Sequence, residues 1–287
     1  MKIAITAKAS LKDPDKIVRK AVQYLRKSGS SVDLCPNACQ LVVHENPKLD
    51  FHNSYDLIIV FGGDGSLLRT VQLMRNFEAA ILPLNMGRLG FLSEGAGKNY
   101  KAILSRVLKG KYEIDRRILL RCSVMRGTRR AFSQRALNEV TIARDALARM
   151  VRLKTTVDDL RLTTYVADGL IVATPTGSTG YSLSAGGPVV SPHLDSIILT
   201  PIAPHSFTQK PIVLPPGIRV KVHISTSQDR VNLTVDGQTG FHLKDDDIVK
   251  VKRSSKVLKL VRMGGSTYFR TLRNKLLWGG DLVGRSS

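Results

Sequence analysis

The chain has no run approaching 18 consecutive apolar residues, which excludes a helical membrane span on the pattern of the sequence. The opening MKIAITAKAS holds only a short apolar patch, too small for the core of a secretory signal, so a cytoplasmic location and no membrane partner are expected. Cysteine is scarce: Cys35, Cys39 and Cys122 are odd in number and unevenly spaced, which excludes a disulfide framework. Cys35 and Cys39 lack a second ligand pair and read as ordinary thiols. The six histidines show no pairing at metal-ligand spacing; His193 and His205 stand near prolines in expected loops, and all six read as structural or surface residues. Internal repeats and low-complexity linkers are missing too. Acidic residues are few, with 23 Asp and Glu against 44 Lys and Arg, for a net charge of +21.

That imbalance points to polyanionic partners: nucleic acid, acidic lipid or phosphate-bearing metabolites. The charge is regional, at +4 over residues 1–100, +10 over 101–162, −2 over 163–249 and +9 over 250–287. At 287 residues and 43% hydrophobic content the chain is long and apolar enough for two domains with real cores.

Up to about residue 112, short apolar runs alternate with helix-like stretches. Strands are expected at 2–6, 31–34, 57–61 and 81–84, and helices at 14–27, 66–75 and 100–108. Such alternation predicts an α/β domain with a doubly wound parallel sheet. Beyond Tyr112 period-two alternation dominates, with strands expected at 118–125, 137–143, 160–167, 170–174, 220–225, 231–235, 248–251 and 257–261. Turn signals at Pro215-Pro216-Gly217 and Asp236-Gly237 separate them, as in a β-rich, sandwich-like domain of packed antiparallel sheets. Residues 268–278 return to helical spacing, with Phe269, Leu272, Leu276 and Leu277 on one stripe expected to pack back on the body. The expected division is 1–115, 116–265 and a closing helix with tail at 266–287.

Two glycine-rich elements carry chemistry. After the apolar strand ending at Phe61 come Gly62-Gly63-Asp64-Gly65 and a helix. Glycines let a backbone approach a phosphate closely, and a helix start offers free N–H groups and partial positive charge. A carboxylate in the middle of such a turn would repel a phosphate unless it works on a metal or a hydroxyl proton. Asp64 therefore reads as a general base or as a helix cap. The spacing is neither GxGxxG nor GxxxxGK[ST], so neither hydride chemistry nor an ordinary nucleoside-triphosphatase site is predicted. Arg69, one turn into the helix, is placed to reach a phosphate or to be solvated.

The second element runs from Asp168-Gly169 through Thr174-Pro175-Thr176-Gly177-Ser178-Thr179-Gly180-Tyr181-Ser182-Leu183-Ser184 to Gly187-Pro188. Four Ser or Thr residues and two glycines within Thr176–Ser182 make a loop that can hold a ribose, an adenine edge or a phosphate. The competing reading is a turn whose hydroxyls cap themselves. Between the two elements, Asn138 and Glu139 are adjacent polar residues in an apolar strand. Strand neighbours face opposite sides, so one of them must point inward and find a partner.

Taken together, Gly62–Gly65, the run Asn85-Met86-Gly87-Arg88-Leu89-Gly90-Phe91-Leu92, Asn138-Glu139, the 168–188 run and Asp236-Gly237-Gln238 resemble the NAD kinase family in order and spacing over roughly residues 56–240. The long run is the specific part; the GGDG turn also occurs in lipid kinases and phosphofructokinases. The resemblance implies an α/β domain followed by a β-rich one with the active site in a cleft. It also implies phosphoryl transfer from ATP or polyphosphate to NAD with Mg²⁺, and a homodimer or homotetramer. Carried over by position, the catalytic base falls on Asp64 with Gly65 beside the dinucleotide, and paired adenosine-side ligands fall on Asn138 and Glu139. An aromatic of the nucleotide pocket falls on Phe91. Further dinucleotide contacts, some from a neighbouring subunit, fall on Arg149, Asp168, Thr179, Gly180, Tyr181, Ser182, Leu183, Ser184 and Gln238. Val166 stands where bacterial members commonly carry a basic residue, and Gly180 where alanine is frequent.

Two rival readings remain. A lipid or sugar kinase would share the GGDG turn but leaves Thr176–Ser184 and Asn138-Glu139 unexplained. A nucleic-acid-binding protein would use the basic segments, yet no recognition module or aromatic-interleaved basic motif occurs in them, so no specific nucleic acid is expected. The basic residues between Lys101 and Arg130 read as a solvated face that attracts anionic substrates.

Overall fold

A computed structural model of the chain describes residues 1–7, 14–34, 54–87, 90–95, 99–145, 149–226, 231–264 and 268–278. Cys35, Cys39, Arg88 and Leu89 lie outside these. The chain divides into two compact units, Met1–Asp115 with Lys259–Ser287, and Arg116–Leu258.

The first unit begins β1 (Lys2–Ala7), α1 (Pro14–Lys27), β2 (Ser31–Leu34), β3 (Leu57–Phe61), α2 (Asp64–Leu73), β4 (Ala80–Asn85), β5 (Glu94–Gly95) and α3 (Tyr100–Leu108). Strands β2, β1, β3 and β4 lie side by side in that order and are parallel. The near-continuous apolar runs of β1, β3 and β4 follow from burial on both faces. Ile3, Ile5, Leu57, Ile59, Phe61 and Leu82 pack with Val18, Leu25, Leu104 and Val107 of α1 and α3, while the alternate residues Ala4, Ile58, Val60 and Ile81 are buried on the other face. The chain winds outward from β1 to β2, then returns past β1 to β3 and β4. The winding thus reverses between β1 and β3, and in open α/β sheets ligands bind beyond the carboxyl ends of the strands at such a point. Gly62–Gly65 leaves β3 there.

The second unit holds β6 (Glu113–Arg126, entering from the first), β7 (Arg129–Ala136), β8 (Glu139–Arg144), β9 (Val151–Val157), β10 (Leu160–Ala167), β11 (Gly169–Ala173), a 3-10 turn at Thr176–Thr179, α4 (Tyr181–Ser184), β12 (Ile197–Ile202), β13 (Ile212–Leu214), β14 (Arg219–Ser225), β15 (Val231–Val235), β16 (Thr239–Leu243) and β17 (Ile248–Arg262). One antiparallel sheet has the order β13-β12-β11-β8-β15-β16; β10-β9-β14-β17 form a second antiparallel array, and β6 pairs with β17 and β7. Val140, Ile142, Leu170, Val172 and Leu233 of the first sheet share one core with Leu153, Tyr165, Val222 and Val251 of the second array, a sandwich built from alternating inward residues.

Several expectations need correction. Residues 248–251 and 257–261 are not two strands but parts of one, because Lys252–Lys256 stays extended between them. Strands β5, β7, β9, β12, β13 and β16 lie outside the expected set. In α5 (Tyr268–Leu276) the stripe of Phe269, Leu272, Leu276 and Leu277 does not form a buried face: Leu272 and Thr271 are buried, whereas Phe269 is 71% and Leu277 81% exposed. The helix ends at Leu276, and Leu277 turns away at a positive φ of 56°. Cys122 is a buried thiol, and burial pushes it up to about 12.

Candidate active site

Asp64 is the first residue of α2. Gly63 at the cap position is extended and makes no side-chain cap, and the turn is tied to the end of β4 by Gly62 N–H donating to Leu84 O at 2.9 Å. The Asp64 carboxylate looks outward to residues 91–93. Oδ2 accepts the Phe91 N–H at 2.7 Å; Oδ1 accepts the Leu92 N–H at 3.3 Å and the Ser93 hydroxyl at 2.9 Å. Asn85 adds a bond from Nδ2 to Ser93 Oγ at 3.3 Å and accepts the Gly87 N–H on Oδ1 at 2.9 Å. Gly90 makes this approach possible, since a methyl group there would lie 2.0 Å from Asp64 Oδ1. The simple helix-cap alternative is thereby set aside: the carboxylate fixes a loop and remains half-exposed. Gly65 and Arg69 are exposed on α2, and Phe91 is half-buried.

In the second unit, β8 begins at Glu139, so Asn138 precedes the strand and escapes its alternation. The expectation that the two side chains face opposite sides is corrected accordingly. A methyl group on Gly180 would lie 3.1 Å from Glu139 Oε2 and 3.5 Å from Asn138 Nδ2, so both converge on that glycine. The main chain of this corner is held by Asp236, whose Oδ1 accepts the N–H groups of Asn138 at 2.7 Å and Glu139 at 3.0 Å, and whose Oδ2 accepts that of Leu137 at 2.8 Å. Asp236 itself is buried, at a φ of 52°. Glu139 is 7% exposed, and burial, with Asp236 as the second cause, pushes its carboxyl up to about 8. Its Oε2 and Asn138 Oδ1 are buried and find no hydrogen-bond partner among the described residues.

The hydroxyl-rich loop packs directly on this corner. A methyl group on Gly177 would lie 2.2 Å from Asn138 O, so only glycine fits. Thr174 donates from Oγ1 to Leu137 O at 2.6 Å, and Ser178 Oγ donates to Pro175 O at 2.7 Å and accepts the Val190 N–H at 3.0 Å. Ser182 Oγ meets Thr200 Oγ1 at 2.8 Å, and Arg117 Nη1 donates to Thr176 Oγ1 at 3.2 Å. These hydroxyls are spent on shaping the loop. What it offers outward is half-buried Thr179, Gly180 and Leu183, exposed Tyr181 and exposed Ser184. Asp168 accepts Arg144 Nε at 2.6 Å. Arg149 and Gln238 are exposed. Within the second unit, the structure gathers Asn138, Glu139 and Gly180; Asp236 supports this corner, and Arg117 and Thr200 support the loop packed on it, while the Arg144–Asp168 pair lies at the far end of β8 and β11, where Ala143 pairs with Gly169. For Asp236 the signals were an Asp-Gly turn and a place in the Asp236-Gly237-Gln238 run of the resemblance, and for Ser93 only its place after Phe91-Leu92.

Residues 14–112 match the ATP-NAD kinase N-terminal domain family and residues 137–263 the ATP-NAD kinase C-terminal domain family. A NAD kinase of Geotalea daltonii is 40% identical over 280 residues, covering 97% of this chain and 99% of that protein. The chain belongs to the NAD kinase family. A NAD kinase of Geobacter sulfurreducens is 45% identical over 78% of this chain and 79% of its own length. A NAD kinase structure from Archaeoglobus fulgidus, solved in complex with ATP, superposes with a TM-score of 0.75 at 28% identity, covering 96% of this chain and 99% of that one. Yeast NADH kinase, solved with NADH, has the same fold, with a TM-score of 0.90 at 24% identity over 100% of this chain and 89% of that one. Family membership sets aside the lipid- or sugar-kinase and nucleic-acid-binding readings.

Proposed function

We propose that this NAD kinase family member phosphorylates the adenosine-ribose 2′-hydroxyl of NAD, making NADP, with ATP or polyphosphate as donor. The 2′-oxygen forms a bond to the terminal phosphorus of the donor, the bond from that phosphorus to its bridging oxygen breaks, and the shortened donor leaves. Asp64 Oδ accepts the hydroxyl proton. The observation that carries the reading is the pair of buried polar atoms without partners, Asn138 Oδ1 and Glu139 Oε2. Buried polar atoms need partners, and a ligand bringing hydroxyl or amine donors, as an adenosine does, supplies them. Asp64 is suited to its role because three donors fix its direction while the carboxylate stays half-exposed. Gly65 and Phe91 would border the nucleotide, and Arg69, exposed on α2, would meet a phosphate. Arg149, Asp168, Thr179–Ser184 and Gln238 would complete the dinucleotide contacts.

Mg²⁺ would travel on the donor phosphates, where it neutralises charge. The ATP complex of the Archaeoglobus fulgidus relative favours ATP. The assay is NADP formation, followed with a coupled dehydrogenase, from NAD and Mg²⁺ with ATP or polyphosphate in separate reactions. NADP from either donor is expected; none from both, with NAD or NADH as acceptor, overturns the reading.

The same reading includes a homo-oligomer, dimer or tetramer, formed through the second unit in the cytoplasm. Residues 163–249 carry the one negative segment charge, so association there is least opposed. Phe207 is 93% exposed, and Val213 lies exposed on the edge strand β13. No helix among the described residues is long and apolar enough to cross a membrane. Light scattering that finds a fully active monomer overturns the assembly.

A further inference from the structure

Arg262 closes β17 in the first unit, where Lys259 and Leu260 pair in parallel with Ala80 and Ile81 of β4. Its guanidinium reaches three acceptors. Nη1 donates to Leu92 O at 3.0 Å and to Glu94 Oε1 at 3.3 Å, and Nε donates to Asp115 Oδ2 at 3.3 Å. The arginine and both carboxylates are largely buried. The next residue is fixed as well, since Met263 O accepts Arg106 Nη2 of α3 at 2.7 Å.

The segment held in this way is the one that grips Asp64. Leu92 gives its N–H to Asp64 Oδ1 and its carbonyl to Arg262. Residues 91–93 are irregular, and β5 beyond them is two residues long, pairing with β4 only through Leu84↔Glu94 and Asn85↔Gly95. So little ladder cannot set the position of three donors to within a few tenths of an ångström. Side chains must do it, from Asn85 and Ser93 on one side and Arg262 on the other. Resting on the proposed role of Asp64, we infer that Arg262 is a positioning residue for it: the guanidinium fork holds Leu92 and Glu94 so that the loop N–H groups aim the carboxylate. A lysine keeps the charge between Glu94 and Asp115 but has no planar fork to serve a carbonyl and two carboxylates together.

The test compares Arg262→Leu, Arg262→Lys, Asp64→Asn and the corresponding double variants in the full-length protein, with kcat and KM for NAD and for ATP normalised to folded enzyme. Misaligning a reacting group by about an ångström costs on the order of 100-fold. Arg262→Leu is therefore expected to lose roughly 10- to 100-fold in kcat with both KM values within about twofold. Arg262→Lys should fold and fall between it and the parent. Should Arg262→Leu fail to fold, Arg262→Lys alone decides. In the Asp64→Asn background either change should cost little more, because both act through one carboxylate. A lower melting temperature with parental kcat, or a full additional loss in the Asp64→Asn background, overturns the inference. If the parent makes no NADP, or Asp64→Asn keeps its kcat, the proposed function or the role of Asp64 fails instead, and the two failures are distinct.

Discussion

Two carboxylates in this chain perform the same act in different surroundings. Asp64 in the first unit accepts two backbone N–H groups and a hydroxyl from residues 91–93; Asp236 in the second accepts three backbone N–H groups from residues 137–139. Asp236 is 3% exposed and its acceptor capacity is turned inward, so it can only hold structure. Asp64 is half-exposed and has a lone pair to spare. One device, a carboxylate gripping a tripeptide, thus serves as scaffold where it is sealed and as a candidate reagent where it is open.

The largest separation between them should come from Asp64→Asn. The amide retains one acceptor oxygen, so the fold should survive, while turnover should fall by roughly two to four orders of magnitude, the scale for a positioned acid or base. Steady-state rates at saturating NAD and ATP measure this. A variant retaining more than about a tenth of parental kcat reduces Asp64 to a structural clamp like Asp236.

Asp236→Ala should produce the opposite profile, a loss mainly of stability. Three donors would be left in a buried corner, and each buried unsatisfied group costs about 1–3 kcal/mol, giving about 3–6 kcal/mol after partial relaxation. That is a large share of the margin of an ordinary domain. Urea unfolding followed by circular dichroism tests it; a loss below about 1 kcal/mol means that water or a shifted main chain replaces the carboxylate.

What was legible in the sequence divides along similar lines. Helix 14–27, strands 31–34 and 57–61 and helix 100–108 have the ends expected of them: burial on both faces writes a continuous apolar run into 57–61, and one-sided packing writes amphipathic periods into the helices. Strand β7, RRAFSQRA, is mostly exposed and offers little apolar signal, and β17 crosses Arg253-Ser254-Ser255 without an apolar cue. At the site, Asp64 and Asn138-Glu139 stood out as polar residues in glycine-rich or apolar settings. Their supports were not legible as supports: Asp236 entered only within the Asp236-Gly237-Gln238 run, and its bond to Glu139 and that of Arg262 to Leu92 span 97 and 170 residues. Local pattern carries no trace of such pairings.

A smaller effect tests the electrostatic side of the second corner. Glu139 is raised from 4.5 to about 8, by burial first and Asp236 second. Below the lower value it is protonated in both folded and unfolded chains and adds no pH dependence. Between the two values the unfolded chain loses its proton while the folded chain keeps it, so stability falls as pH rises and levels off above about 8. Glu139→Gln removes this slope. The melting temperature of the glutamine variant should therefore gain on that of the parent across this window, and parallel curves would show that Glu139 ionises freely.

The smallest effect is expected from Gly180→Ala. Gly180 has a φ of −95°, outside the left-handed region that favours glycine. The added methyl would sit 3.1 Å from Glu139 Oε2 and 3.2 Å from Gly177 O. The first contact is the free end of a side chain and can yield by a few tenths of an ångström; the second is main chain and cannot yield as easily. Against this crowding stands the reduced freedom of the unfolded chain, about 0.4–1 kcal/mol in favour of alanine. The two nearly cancel, so stability should change by less than about 0.5 kcal/mol and kcat/KM for NAD by less than about threefold. The contrast with Gly90 is the point of the measurement, since there the same methyl would lie 2.0 Å from Asp64 Oδ1. A tenfold loss of kcat/KM in Gly180→Ala would mean that Glu139 cannot move aside, and that the second corner is held as tightly as the grip on Asp64.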